Sequence, residues 1–243
     1  MKAVWATYLR ELQAYFVSPL AYVVMFFFLV VNGLVFGNLA SILSNPQAPA
    51  GPPMGFFFGS TTLMLLILGV VLTMRLVSEE LRSGSIEVLM TAPVTEAQVI
   101  AGKYLAALTF FASLWVPTLV YAGIVEYYSE IDWGPVAAGY LGILLVGALF
   151  LAVGTFASSM TSSQLVAAMV TAALLFLLFL LGWFTDIFVG ETARRVFSYL
   201  SLGEHLDEFS RGIVDTRRLV FYVSSTLFFL FLASRALEDK KWR

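Results

Sequence analysis

Along this chain the apolar positions do not alternate with polar ones at the period of a half-buried strand or helix. They run almost unbroken for about 20 residues at a time, and the charged residues gather in between. Six such runs lie at approximately 20–39, 55–74, 104–125, 135–156, 165–185 and 219–234. A helix needs about 20 apolar residues to cross the hydrocarbon layer, so each run predicts a membrane span. None carries Asp, Glu, Lys, Arg or His in its core. Transporters driven by ion gradients keep ionisable side chains at membrane depth, where the ion binds. With none there, energy for work on a substrate has to enter through a cytoplasmic segment that touches another molecule.

The segments outside the runs have patterns of their own. In residues 1–18, Trp5, Tyr8, Leu9, Leu12, Tyr15 and Phe16 recur at helical spacing, with Lys2, Arg10 and Gln13 on the other side of the wheel. This predicts an interfacial amphipathic helix with aromatic residues at the headgroups. Ser18-Pro19 separates it from the first span; the alternative is a frayed extension of that span. Between spans two and three, Gly84 interrupts a charged extension (Arg75, Glu79, Glu80, Arg82), and Pro93 closes a short piece whose Ile86, Leu89 and Met90 share one face. Thr95-Glu96-Ala97-Gln98 fits a capping box that opens the next helix. The geometry expected is two long helices joined by a short transverse helix at 83–93. At that height no bilayer covers its apolar face, so it needs a protein groove; the plainer reading packs it on its own bundle.

Lys and Arg counts orient the chain. Nine of the 14 basic residues fall in the termini and the 75–103 connection, which puts both termini and that connection in the cytoplasm. Arg194, Arg195, Arg211, Arg217 and Arg218 dissent, since all lie in the 186–218 segment, outside in a six-span topology. Long or structured segments cross regardless of charge. There, one short helix is expected over 191–202, ended by Gly203, and a second over 204–211, ended by Gly212. Asp215 is placed to cap span six. Phe197, Leu200, Leu206, Phe209 and Ile213 form the apolar side of this cap.

Composition agrees with a membrane class: 60% hydrophobic and 12% charged residues, with a mean hydropathy of +0.88. A net charge of −2 gives no footprint for nucleic acid. The absence of cysteine removes disulfides and thiolate metal sites. The first run is too long for a signal-peptide core and is expected to remain as a span. His205, the single histidine, has neither Cys nor a second His beside it; a neutral or partly exposed surface side chain is expected, with no metal bound. No catalytic cluster appears and no G-x-x-x-x-G-K-[ST] occurs, so the chain is expected to be neither an enzyme nor a direct ATP binder. Polar groups at membrane depth (Asn32, Asn38, Ser60 to Thr62, Thr155, Ser158) and small residues such as Gly142 and Gly147 read as packing devices.

The string Ser78-Glu79-Glu80-Leu81-Arg82-Ser83-Gly84-Ser85-Ile86-Glu87-Val88-Leu89-Met90-Thr91-Ala92-Pro93-Val94-Thr95 resembles the first cytoplasmic loop of ABC-2 type transporter permeases. The likeness continues in Gly102-Lys103-Tyr104. It extends to Ser201-Leu202-Gly203-Glu204-His205-Leu206-Asp207-Glu208-Phe209-Ser210-Arg211-Gly212-Ile213-Val214-Asp215, which resembles the gliding-motility-type and nitrous-oxide-accessory-type branches. It implies an all-α integral membrane protomer with six transmembrane helices, an interfacial helix, a coupling helix and short re-entrant outer helices over 186–218. It implies Glu79, Glu80, Arg82, Gly84, Ile86, Glu87, Leu89, Met90 and Pro93 at the ATPase, and Gly203, His205, Phe209, Arg211, Gly212 and Asp215 in the outer segment. The expected partners are two copies of an ATP-binding-cassette ATPase, which hold ATP and Mg, and a second permease protomer, identical or paralogous. Membrane lipids surround the pair, a periplasmic or extracellular partner is left open, and the location implied is a bacterial or archaeal plasma membrane. The function implied is ATP-driven export of a substrate; the alternative is a subunit that transmits force to an outer partner without transport.

Overall fold

The computed structural model describes residues 2–44, 52–85, 94–181 and 199–241, all of whose regular elements are helices. Five are long and apolar enough to cross a membrane: Pro19–Leu43, Thr62–Ser83, Glu96–Tyr128, Trp133–Met160 and Thr216–Lys240. A shorter apolar helix, Gln164–Leu180, stands where the fifth span was expected. Its 17 residues are at the lower limit for a crossing, and residues 182–198, where that span was expected to end, lie outside the described set.

Helix α1 (Lys2–Val17) is separate from α2 (Pro19–Leu43), with Ser18 extended between them and Pro19 opening α2. It lies along α6 (Glu96–Trp115), one of the closest helix pairs in the bundle. The wheel is rotated from the sequence expectation. Val4, Thr7, Tyr8, Glu11, Leu12 and Tyr15 are partly buried, while Trp5, Leu9 and Phe16 are exposed on the side left for lipid.

Two spans are broken where continuous helices were expected. The second divides into α3 (Pro53–Ser60), α4 (Thr62–Thr73) and α5 (Ser78–Ser83). At the first break the hydroxyls of Ser60, Thr61 and Thr62 donate to the carbonyls of Phe56, Phe58 and Gly59, competing with the helical ladder. Span three starts at Glu96, where the capping box of Thr95 and Gln98 is formed. It breaks after Trp115 because Pro117 has no N–H and crowds the preceding turn; α7 (Leu119–Tyr128) continues it. The outer segment is also reframed. Ser201 Oγ accepts from Glu204 N at 3.4 Å, so α10 (Leu202–Ser210) begins before Gly203, which sits in its first turn and terminates nothing.

Helix α8 (Trp133–Met160) is the hub, the most buried span, packed by α4, α6, α9 (Gln164–Leu180), α10 and α11 (Thr216–Lys241). Its glycines admit aromatic side chains: Gly139 faces Phe58, Gly147 faces Phe111, and a Cβ on Gly142 would stand 2.7 Å from Phe209. In lipid, such close packing supplies much of the force that holds helices together.

Candidate functional site

Two polar clusters lie at opposite ends of α8. The first joins α1, α5 and α6. Gly102 lets α1 lie on α6, since a Cβ there would stand 2.8 Å from Thr7 Cβ and 2.9 Å from the Val4 carbonyl. The next residue, Lys103, has a side chain only 2% exposed. Its Nζ lies 3.0 Å from Glu11 Oε1 and 3.0 Å from Glu80 Oε1. Arg10 Nη2 reaches the same two oxygens at 2.8 and 2.9 Å from the solvent side. Two cations against two carboxylates leave no net charge in the cluster, which is the condition for holding an ammonium away from water. The cluster ties the root of α5 to both α1 and α6.

Beyond that root the chain turns outward. Arg75 and Glu79 form a half-exposed i,i+4 pair at 3.0 Å. Arg82 is exposed, and Gly84 takes φ +71° just after α5, a left-handed conformation that suits glycine. Glu80, expected to serve an ATPase or fix the transverse helix, faces inward to Lys103. The remaining coupling residues, Ile86, Glu87, Leu89, Met90 and Pro93, lie outside the described residues. Arg10 and Lys103 entered the sequence reading only as a polar-face residue and as part of a matching string, and Glu11 did not enter it; none was expected in a cluster. Their signal is local: Glu11 shares a helix stripe with Val4 and Thr7, and Lys103 follows the glycine that this stripe meets.

The second cluster joins α10 to α11. His205 is fully buried, contrary to the surface side chain expected. The stripe Leu202, His205, Leu206 and Phe209 turns it into the bundle. Arg218 Nη1 meets its Nε2, 2.6 Å away. A guanidinium has only donors, so Nε2 accepts and the proton sits on Nδ1, donated to the Tyr222 hydroxyl at 3.0 Å. Burial and the adjacent Arg218 charge hold the imidazole well below its usual range, at about 4. Glu208 clamps Arg218 through two bonds of 3.0 and 3.1 Å, while Arg218 lies over the Tyr199 ring. Two of the five arginines that strained the topology are thereby engaged: Arg218 here, and Arg211 in an exposed pair with Asp207 at 2.8 Å.

Phe209 is buried against Gly142, Gly212 takes φ +84° after α10, and Asp215 Oδ1 accepts from Arg217 N at 2.8 Å at the start of α11. Ile213, expected on the apolar side of the cap, is 55% exposed, and Phe197 lies outside the described residues. Among the described residues no group of three His, Cys, Asp or Glu side chains is placed to hold a metal ion.

The sequence of this bundle of long apolar helices matches the ABC-2 family transporter protein over residues 13–198. The chain belongs to the ABC-2 transporter family. It is thus a multi-pass membrane subunit of an ABC transporter, a permease whose family implies an ATPase partner. The match takes in the last turn of α1, Glu80 and Lys103 of the first cluster and the 83–93 connection; Arg10, Glu11, α10 and α11 lie outside it. No curated protein matches the chain.

Proposed function

We propose that this ABC-2 permease subunit converts ATP hydrolysis on a separate ATPase into export of a substrate across the plasma membrane, working as a dimer with both termini cytoplasmic. ATP and Mg reside on the ATPase. The segment from Glu79 to Pro93 meets a groove on it: Ile86, Leu89 and Met90 enter the groove, while Glu79, Arg82 and Glu87 flank it. The observation that carries this reading is the Lys103, Glu11, Glu80 and Arg10 cluster. A segment that delivers force needs a mount that does not yield, and here its root is fixed to two other helices by buried ion pairs.

Replacing Leu89 by Asp would place an unpaired charge in the groove, which is costly when buried. The ATPase should then no longer co-purify, although the permease still inserts in the membrane. Unchanged co-purification with unchanged ATP turnover would refute the coupling role.

A further inference from the structure

The break between α4 and α5 contains neither proline nor glycine: its residues run Thr73-Met74-Arg75-Leu76-Val77-Ser78. Helices that kink without either do so where another side chain enters the hydrogen-bond ladder, and here two enter from opposite sides. Leu76 N turns to the Thr73 carbonyl at 3.0 Å, which leaves the Leu72 carbonyl without its helical donor. The Tyr15 hydroxyl, arriving from the interfacial helix, donates to that carbonyl at 2.8 Å. On the other side the backbone N–H groups of Val77 and Ser78 both donate to Ser158 Oγ, at 3.1 and 3.0 Å. Ser158 is a fully buried residue of α8, and Gly154, one turn earlier, leaves room for Thr73 to pack against the same helix. Ser78 Oγ donates to the Met74 carbonyl at 2.6 Å. The carbonyls of Leu72, Thr73 and Met74 and the N–H groups of Val77 and Ser78 therefore have partners supplied by α1, α8 and the break itself, as burial among apolar helices requires.

A straight helix through the same residues would exchange these bonds for ordinary i→i−4 ones: Leu76 N to the Leu72 carbonyl, Val77 N to Thr73 and Ser78 N to Met74. The bent and straight forms each satisfy these groups, the first with Tyr15, Ser158 and the break itself, the second with the helical ladder. An element with two satisfied arrangements is one whose balance a partner can tip.

We propose that Ser158 and Tyr15 are positioning residues that hold the second span bent and so set the direction in which α5 presents the ATPase-facing segment. This rests on the coupling function above, but the bend has its own readout. The chain has no cysteine, so spin labels at Ser83→Cys and Ser162→Cys, both exposed positions, report the angle of α5 against the end of α8. The distance is measured in the complex with its ATPase and on the permease alone. The parent should give one narrow distance.

Ser158→Ala strips the acceptor from two buried donors and should move the ratio of straight to bent molecules about tenfold or more toward straight. It should also change the ATP turnover of the complex. Ser158→Thr, which keeps the hydroxyl, should restore the parent distance. Tyr15→Phe, which loses a single bond on a partly buried helix, should shift the ratio in the same direction by less. If Ser158→Ala does not fold, Tyr15→Phe decides by the same measure. An unchanged single distance in the variant that folds would overturn the proposal while leaving the ATPase contact standing. Loss of the ATPase contact alone would leave the distance result intact.

Discussion

Removing the buried ammonium at the root of α5 should damage the protein more than removing its exposed partner, although both touch the same two carboxylate oxygens. Lys103→Met keeps the length and apolar stem of the side chain but leaves Glu11 and Glu80 facing each other with Arg10 alone. The Lys103 side chain is 2% exposed and its partners 16% and 18%. Breaking a buried pair by deleting one member costs about 3–5 kcal/mol, because the surviving charge stays buried. Arg10 is 51% exposed, and exposed pairs are worth about 0–1 kcal/mol. For a chain of this size each kcal/mol moves Tm by about 2–4 °C. Lys103→Met should therefore lower Tm by about 6–20 °C, and Arg10→Gln by about 4 °C or less. Thermal unfolding of the permease in nanodiscs, with Glu80→Gln added to complete a double-mutant cycle, measures both. The reasoning fails if Lys103→Met matches Arg10→Gln, or if the cycle gives no coupling between Lys103 and Glu80.

The outer cluster makes a pH prediction. His205 is held near 4 in the folded chain, against about 6.5 when unfolded, so the unfolded state binds more protons between these values. Stability is then full above about 6.5 and falls as the pH drops toward 4. The groups facing the imidazole are Arg218, Tyr222 and Glu208, with Tyr199 and Phe221 beside them. His205→Gln should flatten the loss over that window, and an unchanged pH profile of unfolding would count against the buried neutral imidazole. For topology, single cysteines at Arg211, an exposed position (63%), and at Ser83 separate the two faces. A membrane-impermeant thiol reagent on intact cells should label the first and miss the second; the reverse would invert the chain.

What the sequence made legible was what neighbouring residues decide by themselves. Thr95 and Gln98 cap each other three residues apart, Gly84 and Gly212 take the left-handed turns that end helices, and Asp215 caps the helix it precedes. Five of the six apolar runs coincide with helices long enough to cross a membrane for the same reason, because backbone hydrogen bonding in lipid leaves a 20-residue apolar stretch few options. The breaks were less visible. Pro117 announces one, but the bend at Met74–Val77 depends on Tyr15 and Ser158, 57 and 81 residues distant from the groups they bond. The site divided along the same line. His205 was read through the lack of a Cys or second His beside it, whereas the i, i+3, i+4, i+7 stripe of Leu202, His205, Leu206 and Phe209 decides its burial. Glu80 read as a partner-facing charge because Lys103 and Glu11 come to it only through the packing of α1 on α6.

The central claim is that the segment following Gly84 touches an ATPase. A photo-crosslinking amino acid at Leu89, with Trp5 on the lipid-facing side of α1 as the control position, tests it in living cells. The account predicts an ultraviolet-dependent adduct between the Leu89 position and an ATP-binding-cassette ATPase, lost when Pro93 and Gly84 are both replaced by Ala, with no such adduct from Trp5. Adducts from Leu89 only to the permease itself or to lipid would contradict it.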